Sequence, residues 1–371
     1  MLSSTGAAFA NAPIVTNKTI VNLLIAFFIF SPSRQNAFFI QPKNENYRAC
    51  QSFGFDGTEP PDALKALIQD YFAGGVILFS RNIKSKEQLK KLISEIKAIA
   101  APRPLLIAID HEGGRVFRMP EKFSKFVPMA KIGEIYKRTQ NAAPAYNIGR
   151  IMAAELKEVG INVNFAPVLD VNTNPKNPVI GDRSFSDNAN ECAALGIQLI
   201  KGLQENGVIA CGKHFPGHGD TSLDSHFELP VTSHTLGRLQ SIELVPFAAA
   251  IEASVKSLMT AHIIYEALDS EMPATLSPTI IGDLLRLKLG FKGVVFTDDL
   301  QMKAITKLMP IGEASVLALR AGCDICLIAS DNACQKEAID YCISAVASGR
   351  LHESIVEASS RRMQMLYSYL R

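Results

Sequence analysis

Leu105-Leu106-Ile107-Ala108-Ile109 runs directly into Asp110-His111-Glu112-Gly113-Gly114-Arg115, an apolar stretch that ends in a polar, glycine-rich tip. A strand that is apolar at every position is buried on both faces, as in a parallel sheet covered by helices. The same unit recurs along the chain. Its apolar runs are Gly75 to Phe79, Val163 to Leu169, Val208 to Cys211, Ser257 to Ala261, Gly293 to Phe296 and Cys323 to Ala329, with Ser52 to Phe55 as an eighth. Helical-period segments alternate with them. Pro60-Pro61-Asp62 opens one that carries Leu64, Leu67, Ile68 and Tyr71; Ser85 to Ile99, Pro278 to Leu289 and Ser354 to Leu370 are others. Eight strand and helix units predict an α/β fold of one closed (β/α)8 barrel, the TIM type, with no internal solenoid repeat and no long linker.

The glycine-rich tip at Asp110 to Arg115 is not G-x-G-x-x-G, and no Walker lysine pattern occurs, so no nucleotide cofactor is expected. The chain has 371 residues, 47% of them hydrophobic and 20% charged, which suits a large core. Lys and Arg total 38 against 36 Asp and Glu, a formal charge of +2. No global basic field points to nucleic acid or to an anionic membrane, and recognition falls to a local site. The seven cysteines are Cys50, Cys192, Cys211, Cys323, Cys326, Cys334 and Cys342, an odd number in mostly apolar surroundings that suits free thiols in a reducing compartment. Cys323 and Cys326 lie within one strand-like run and have no second pair at zinc spacing, so they are expected in the core.

Residues 1–46 differ from the rest and are expected to lie outside the barrel, which takes 47–371. Ile20 to Phe30 is apolar apart from Asn22. As a helix these residues would reach only about 16 Å, short of a bilayer core of about 30 Å. A signal-peptide core has this length, but one Lys precedes it and the small-x-small cleavage pattern is imperfect. An upstream extension or a misplaced start is the preferred reading, export the alternative, and no membrane span is expected.

Polar residues follow the strand runs in register: Asp110, Asp170, Lys213-His214, His262 and Asp298-Asp299. In a barrel such positions ring the mouth at the C-terminal ends of the strands, where active sites lie. The densest stretch is Lys213-His214-Phe215-Pro216-Gly217-His218-Gly219-Asp220-Thr221-Ser222-Leu223-Asp224-Ser225-His226. Pro216 and Gly217 between His214 and His218 exclude a helical face that would aim both rings at a metal, and H-E-x-x-H is absent, so no metal site is expected. Asp224 and His226, two apart, would share one side of an extended segment, where the carboxylate can fix the imidazole and make it a proton shuttle.

The run from Lys213 to His226 closely resembles the K-H-[F/I]-P-G-H-G-x-T-x-x-D-S-H signature of family 3 β-N-acetylglucosaminidases. Asp110 to Arg118 is similar to their D-x-E-G-G-R-V-x-R, and Gly181 to Phe185 and Phe296 to Met302 reinforce the match, which extends from about Ser52 to the C-terminus. The resemblance implies that Asp298 is the nucleophile, His226 the acid/base and Asp224 its orienting partner. It implies that Asp110, Arg118, Arg183, Lys213 and His214 hold a terminal N-acetylglucosamine. Relatives with this Asp-Ser-His loop typically lack a C-terminal sandwich domain, and the same is expected here because the chain ends soon after the last strand and helix. The implied activity is retaining hydrolysis of β-1,4-linked N-acetylglucosamine from muropeptides or chitooligosaccharides, by a monomer in a bacterial cytoplasm engaged in cell-wall recycling. Two alternatives stay open: a β-N-acetylglucosaminide phosphorylase and a non-catalytic sugar-binding barrel. Asp299 is expected just outside the site, since neighbours on a strand face opposite ways.

Overall fold

Eight parallel strands close on one another in a computed structural model that describes residues 50–330 and 332–370. They are β1 (Gln51–Phe53), β2 (Gly75–Leu78), β3 (Leu106–Ile109), β4 (Val163–Asn164), β5 (Ile209–Phe215), β6 (Ser257–Thr260), β7 (Val294–Asp299) and β8 (Ile325–Ile328). Each pairs with its sequence neighbours and β1 pairs with β8, which makes a (β/α)8 barrel of the TIM type. The expected extension, residues 1–46 with its apolar run, lies outside the described residues.

Continuous apolar runs suit this barrel because both strand faces are covered. Along β2 and β3, Ile77, Leu106 and Ala108 point into the barrel and meet Val163, Phe165, Ile209, Met259, Phe296 and Leu327. Their alternates Val76, Leu78, Ile107 and Ile109 pack outward under the helices. Near the barrel axis the rings of Phe165 and Phe296 meet edge to face with centroids 5.2 Å apart.

The layer outside consists of α1 (Asp62–Gln69), α2 (Lys86–Ala100), α3 (Met129–Thr139), α4 (Ala143–Val159), α5 (Ala189–Gln204), α6 (Val245–Glu252), α7 (Thr279–Lys288, wound as a π-helix), α8 (Ile311–Ala321), α9 (Asn332–Ala347) and α10 (Glu353–Tyr369). Local chemistry sets several boundaries. Ser85 Oγ accepts from Gln88 N at 3.1 Å and starts α2, and the Asn188 side chain accepts from Asn190 N and Glu191 N and starts α5. No helix among the described residues is long and apolar enough to cross a membrane. Cys323 and Cys326 are buried free thiols, and their sulfurs face the carbonyls of Thr275 and Ser315.

Two strands differ from expectation. β4 stops at Asn164 because Pro167 interrupts the run and has no N–H for the ladder; past it, Val168 bridges to Lys213. β5 runs on to Phe215, with a register shift between Gly212 and Phe215, so Lys213 and His214 belong to the strand and not to the loop after it. A short parallel pair, Val231–Thr232 with Ile264–Tyr265, was not apparent from the sequence.

At the N-terminal end of the barrel α10 acts as a plug. Its Met363 and Leu366 join the interior cluster, and Tyr367 Oη donates to Gly74 O at 2.9 Å, just before β2. Asp324, fully buried ahead of β8, accepts from Arg362 of α10 at 2.7 Å, from Arg286 of α7 at 2.6 Å and from Val295 N at 2.8 Å. These contacts close the end of the barrel opposite the strand tips; the tips are the end where active sites of this architecture lie.

Candidate active site

The C-terminal ends of the strands surround a cavity of about 250 Å³. Asp110, Arg118, Arg183, Lys213, His214, His226 and Asp298 all line it, joined by Glu112, His218, Asp299 and an apolar set that includes Phe79, Met259 and Leu327. Asp224 does not line it but stands behind His226. Of the strand-tip residues expected at the mouth, Asp170 and His262 lie beneath the lining, both with no exposed surface.

Asp110 leaves β3 and opens a tight turn in which Gly113 and Gly114 take φ of +95° and +55°, values that a side chain disfavours. The turn brings Glu112 inward, where it is 3% exposed. Glu112 Oε1 accepts from Arg183 Nη2 at 2.8 Å and meets Lys213 Nζ at 2.6 Å, and its Oε2 accepts from Arg183 Nε at 2.8 Å. Lys213 Nζ also donates to Asp110 Oδ1 at 2.6 Å. The result is an alternating chain Asp110, Lys213, Glu112, Arg183. Burial pushes the Glu112 carboxyl up, but the two cations outweigh it and hold the group well below the usual carboxylate range. Likewise, burial alone would lower Lys213 and Arg183, and the facing carboxylates raise both above their ordinary values. Arg118 has no hydrogen-bond or ion-pair partner among the described residues, so its guanidinium is open to a ligand.

His214 is fixed from below. Its Nδ1 is 2.7 Å from Asp170 Oδ2, while Asp170 Oδ1 accepts from the backbone N–H of His214 at 3.1 Å and of His218 at 2.7 Å. Burial would raise Asp170, but contact with His214 and His218 lowers it below the usual value. His218 has both ring nitrogens occupied, by Thr221 Oγ1 at 2.8 Å and Ser225 Oγ at 3.1 Å, and burial lowers it to about 4. The rings of His214 and His218 lie 5.6 Å apart edge to face, and among the described residues no group of three His, Cys, Asp or Glu is disposed to hold a metal ion.

His226 and Asp224 do come together, in a different local geometry from the extended one expected. Asp224 Oδ1 accepts from His226 N at 2.8 Å and lies 2.7 Å from His226 Nδ1, while Phe227 N and Glu228 N both donate to Asp224 O at 3.0 Å. The segment is therefore a coiled turn closed by an aspartate side chain, a form in which a residue two positions on is brought back onto the carboxylate. With Nδ1 engaged, Nε2 of His226 is the nitrogen left for proton transfer, and 59% of the side chain is exposed. Burial raises the Asp224 carboxyl, and the backbone and side-chain bonds to His226 more than offset it, leaving Asp224 below the usual value. The loop is anchored at both ends. Gly219 lies so close to β4's extension that a Cβ there would sit 1.8 Å from Val171 O, and Ala304 N and Lys303 N donate to the carbonyls of Ser225 and His226 at 3.3 and 3.4 Å.

Asp298 and Asp299 end β7 with different environments. Asp298 Oδ1 accepts from Asp299 N at 2.8 Å; burial raises the Asp298 carboxyl, but His262, His214 and that N–H bring it below the usual carboxylate value. Asp299 Oδ1 accepts from Gln301 N at 3.1 Å and Ala329 N at 3.2 Å, yet burial, with Asp298 beside it, pushes it up to about 6. Asp299 was expected outside the site; it is a hydrogen-bonder to the backbone, but it also forms part of the cavity wall. His262 underpins the pair, with Nε2 3.0 Å from Asp299 O and Nδ1 2.7 Å from Thr275 Oγ1. Sequence reading missed Glu112 as a partner of Lys213 and Arg183, although it lies inside the quoted Asp110 to Arg118 motif.

Comparison with known proteins identifies the family. The model of the glycosyl hydrolase family 3 N terminal domain matches residues 44–366. A β-hexosaminidase of Idiomarina loihiensis is 41% identical over 284 residues, 76% of this chain and 84% of that protein. Among solved structures, a glycoside hydrolase family 3 β-N-acetylglucosaminidase from Paenibacillus sp. str. FPU-7 superposes with a TM-score of 0.86 at 41% identity, over 90% of this chain and 63% of that one. NagZ from Neisseria gonorrhoeae, solved in complex with N-trifluoroacetyl-D-glucosamine, gives a TM-score of 0.72 at 33% identity over 87% of this chain and 98% of that one. A barrel whose strand tips carry paired acids, an aspartate-held histidine and a cluster of cations, matched over most of its length, belongs to glycosyl hydrolase family 3, and the chain is a glycoside hydrolase of the β-hexosaminidase type.

Proposed function

We propose that this protein is a retaining β-N-acetylglucosaminidase that removes terminal N-acetylglucosamine from peptidoglycan fragments through a covalent glycosyl-enzyme. The observation that carries the reading is one cavity lined by both Asp298, a carboxyl held below its usual value, and His226, whose Nδ1 is pinned by Asp224. An ionised carboxylate suits attack on the anomeric carbon, and an imidazolium supported by Asp224 suits protonation of the departing oxygen. In the second step His226 takes a proton from water, which displaces Asp298 and restores the anomeric configuration. Lys213, Arg183 and Arg118 are donors for sugar hydroxyls and the acetamido oxygen, and Asp110 is an acceptor. Attack by the substrate's own acetamido group would call for a second carboxylate at the sugar. Asp299 is less suited to that part, because its Oδ1 already accepts two backbone N–H groups and its carboxyl is pushed up to about 6.

A bacterial muropeptide, cleaved by a monomer in the cytoplasm, is the proposed setting. The test is a panel: a chromogenic β-N-acetylglucosaminide, chitobiose and an anhydro-muropeptide, each with and without inorganic phosphate. Turnover of all three, highest kcat/KM on the muropeptide and free N-acetylglucosamine as product in phosphate buffer are expected. N-acetylglucosamine 1-phosphate as the product would replace hydrolysis by phosphorolysis, and absence of turnover would reduce the chain to a sugar-binding barrel.

A further inference from the structure

We propose that Glu112 is a positioning residue that sets the spacing and direction of the two cations, Lys213 and Arg183, through which the cavity grips its sugar. The proposal rests on reading the cavity as a sugar site, and it concerns a residue to which no role has been given so far.

Donor and acceptor counting argues for it. Glu112 uses Oε1 for Lys213 Nζ at 2.6 Å and Arg183 Nη2 at 2.8 Å, and Oε2 for Arg183 Nε at 2.8 Å. A carboxylate has roughly four lone-pair sites, so three are taken and little is left for a ligand. Its partners are in the opposite condition. Lys213 has three N–H donors, of which one goes to Asp110 and one to Glu112. Arg183 has five, with Nε and Nη2 on Glu112 and Nη1 on Val179 O at 3.1 Å. Each cation therefore keeps N–H groups for a ligand, and the carboxylate, by fixing the others, sets the direction in which they point.

Glu112 is itself held rigidly. Its backbone N donates to Val116 O at 3.0 Å across the Gly113-Gly114 turn, and Arg115 of the same turn donates through Nη2 to Val179 O at 2.5 Å and Ile180 O at 3.1 Å. The turn after β3 thus grips the Val179 to Arg183 loop twice, once through Arg115 and once through Glu112. Charge supplies a second argument. Lys213, Arg183 and the unpartnered Arg118 gather three positive charges around a neutral sugar. Without the buried negative charge of Glu112 this corner becomes a site for small anions, and Asp110 is left alone to neutralise Lys213.

Glu112→Gln tests the proposal with little change of shape. The Gln oxygen can replace Oε1, but its amide N–H₂ then faces Arg183 Nε–H, donor against donor. Measurements would use the purified full-length enzyme, parent and variants, on a chromogenic β-N-acetylglucosaminide, with inorganic sulfate as the anion probe. Glu112→Gln is expected to lower kcat/KM by about 10-fold or more, mainly through KM, as loss of a charge-assisted contact at a binding group does. It should add little once Arg183→Ala is present, since the effect runs through Arg183. Competitive inhibition by sulfate should tighten several-fold. Glu112→Asp, which keeps the charge on a shorter arm, should fall between the two in KM and match the parent in its response to sulfate; it also serves if Glu112→Gln does not fold. Multiplicative losses in the double variant, an unchanged KM or unchanged sulfate inhibition would overturn the positioning role while parental turnover stands. An inactive parent would overturn the sugar-site reading and this role together.

Discussion

Asp298 and Asp299 are chemically identical neighbours that the barrel drives in opposite directions. Both are desolvated, but Asp298 faces imidazoles and a backbone N–H, whereas Asp299 carries the extra burden of the Asp298 charge beside it. Environments that push two carboxyls apart in this way separate an ionised group from one that holds its proton more readily. For Asp299 the folded value, about 6, lies above an unfolded value of about 3.9. Its contribution to stability is therefore complete below about pH 3.9 and is lost as the pH rises through 6. Asp299→Asn keeps the Oδ1 acceptor and cannot ionise. The melting temperature of the variant relative to the parent should rise between pH 4 and pH 7; a difference constant across that range would contradict the assignment. The sequence could anticipate that residues of these types meet at strand tips, because the tips are where a barrel brings distant segments together. It could not show Glu112 at work, since its bidentate partner Arg183 is 71 residues away and nothing local marks the pair.

At the level of elements, the loop after β5 is a holder for His226 anchored at both ends. Asp170 collects the N–H groups of His214 and His218, Gly219 lies against Val171, and the segment Lys303–Thr306 receives the far end at Ser225 and His226. Asp224 completes the holder by fixing the imidazole. Removing that carboxylate should impair protonation of the leaving group more than binding. Asp224→Ala is expected to lose about 10²-fold in kcat on chitobiose, within the usual range for general acid catalysis, and much less on an aryl glycoside whose leaving group needs little protonation. Equal losses on both substrates would show that Asp224 serves the fold and not the proton transfer. The sequence suggested this pair through a spacing of two on extended backbone. The true cause is an aspartate-closed turn, which presents the same two residues to each other by another route. β4 was harder to read, since a run that is apolar apart from Asn164 is broken by the one residue type that cannot donate to the ladder.

Across the whole molecule, structure and chemistry occupy opposite ends of the barrel. The apolar continuity of eight runs made the architecture legible, because burial on both faces leaves no polar alternation to confuse it. The plug was not legible: α10 has the amphipathic spacing of any covering helix, and only the fold turns Met363 and Leu366 into the barrel floor. Each of those side chains contributes about 1.5–3 kcal/mol when fully buried. Beside them the buried Asp324 binds Arg286 and Arg362, an arrangement whose disruption on one side leaves a charge without its partner. With the floor fixed in this way, the mouth can carry a depressed carboxyl, a half-exposed histidine and the unpartnered guanidinium of Arg118. In the proposed mechanism Asp298 bonds covalently to the sugar during turnover. Its most direct test is mass spectrometry of peptides from the parent enzyme, quenched while turning over a slow, fluorine-substituted N-acetylglucosaminyl donor. The peptide containing Asp298 is expected to carry one glycosyl group, lost on further incubation; an unlabelled Asp298 peptide during measurable turnover of that donor would rule out the covalent route.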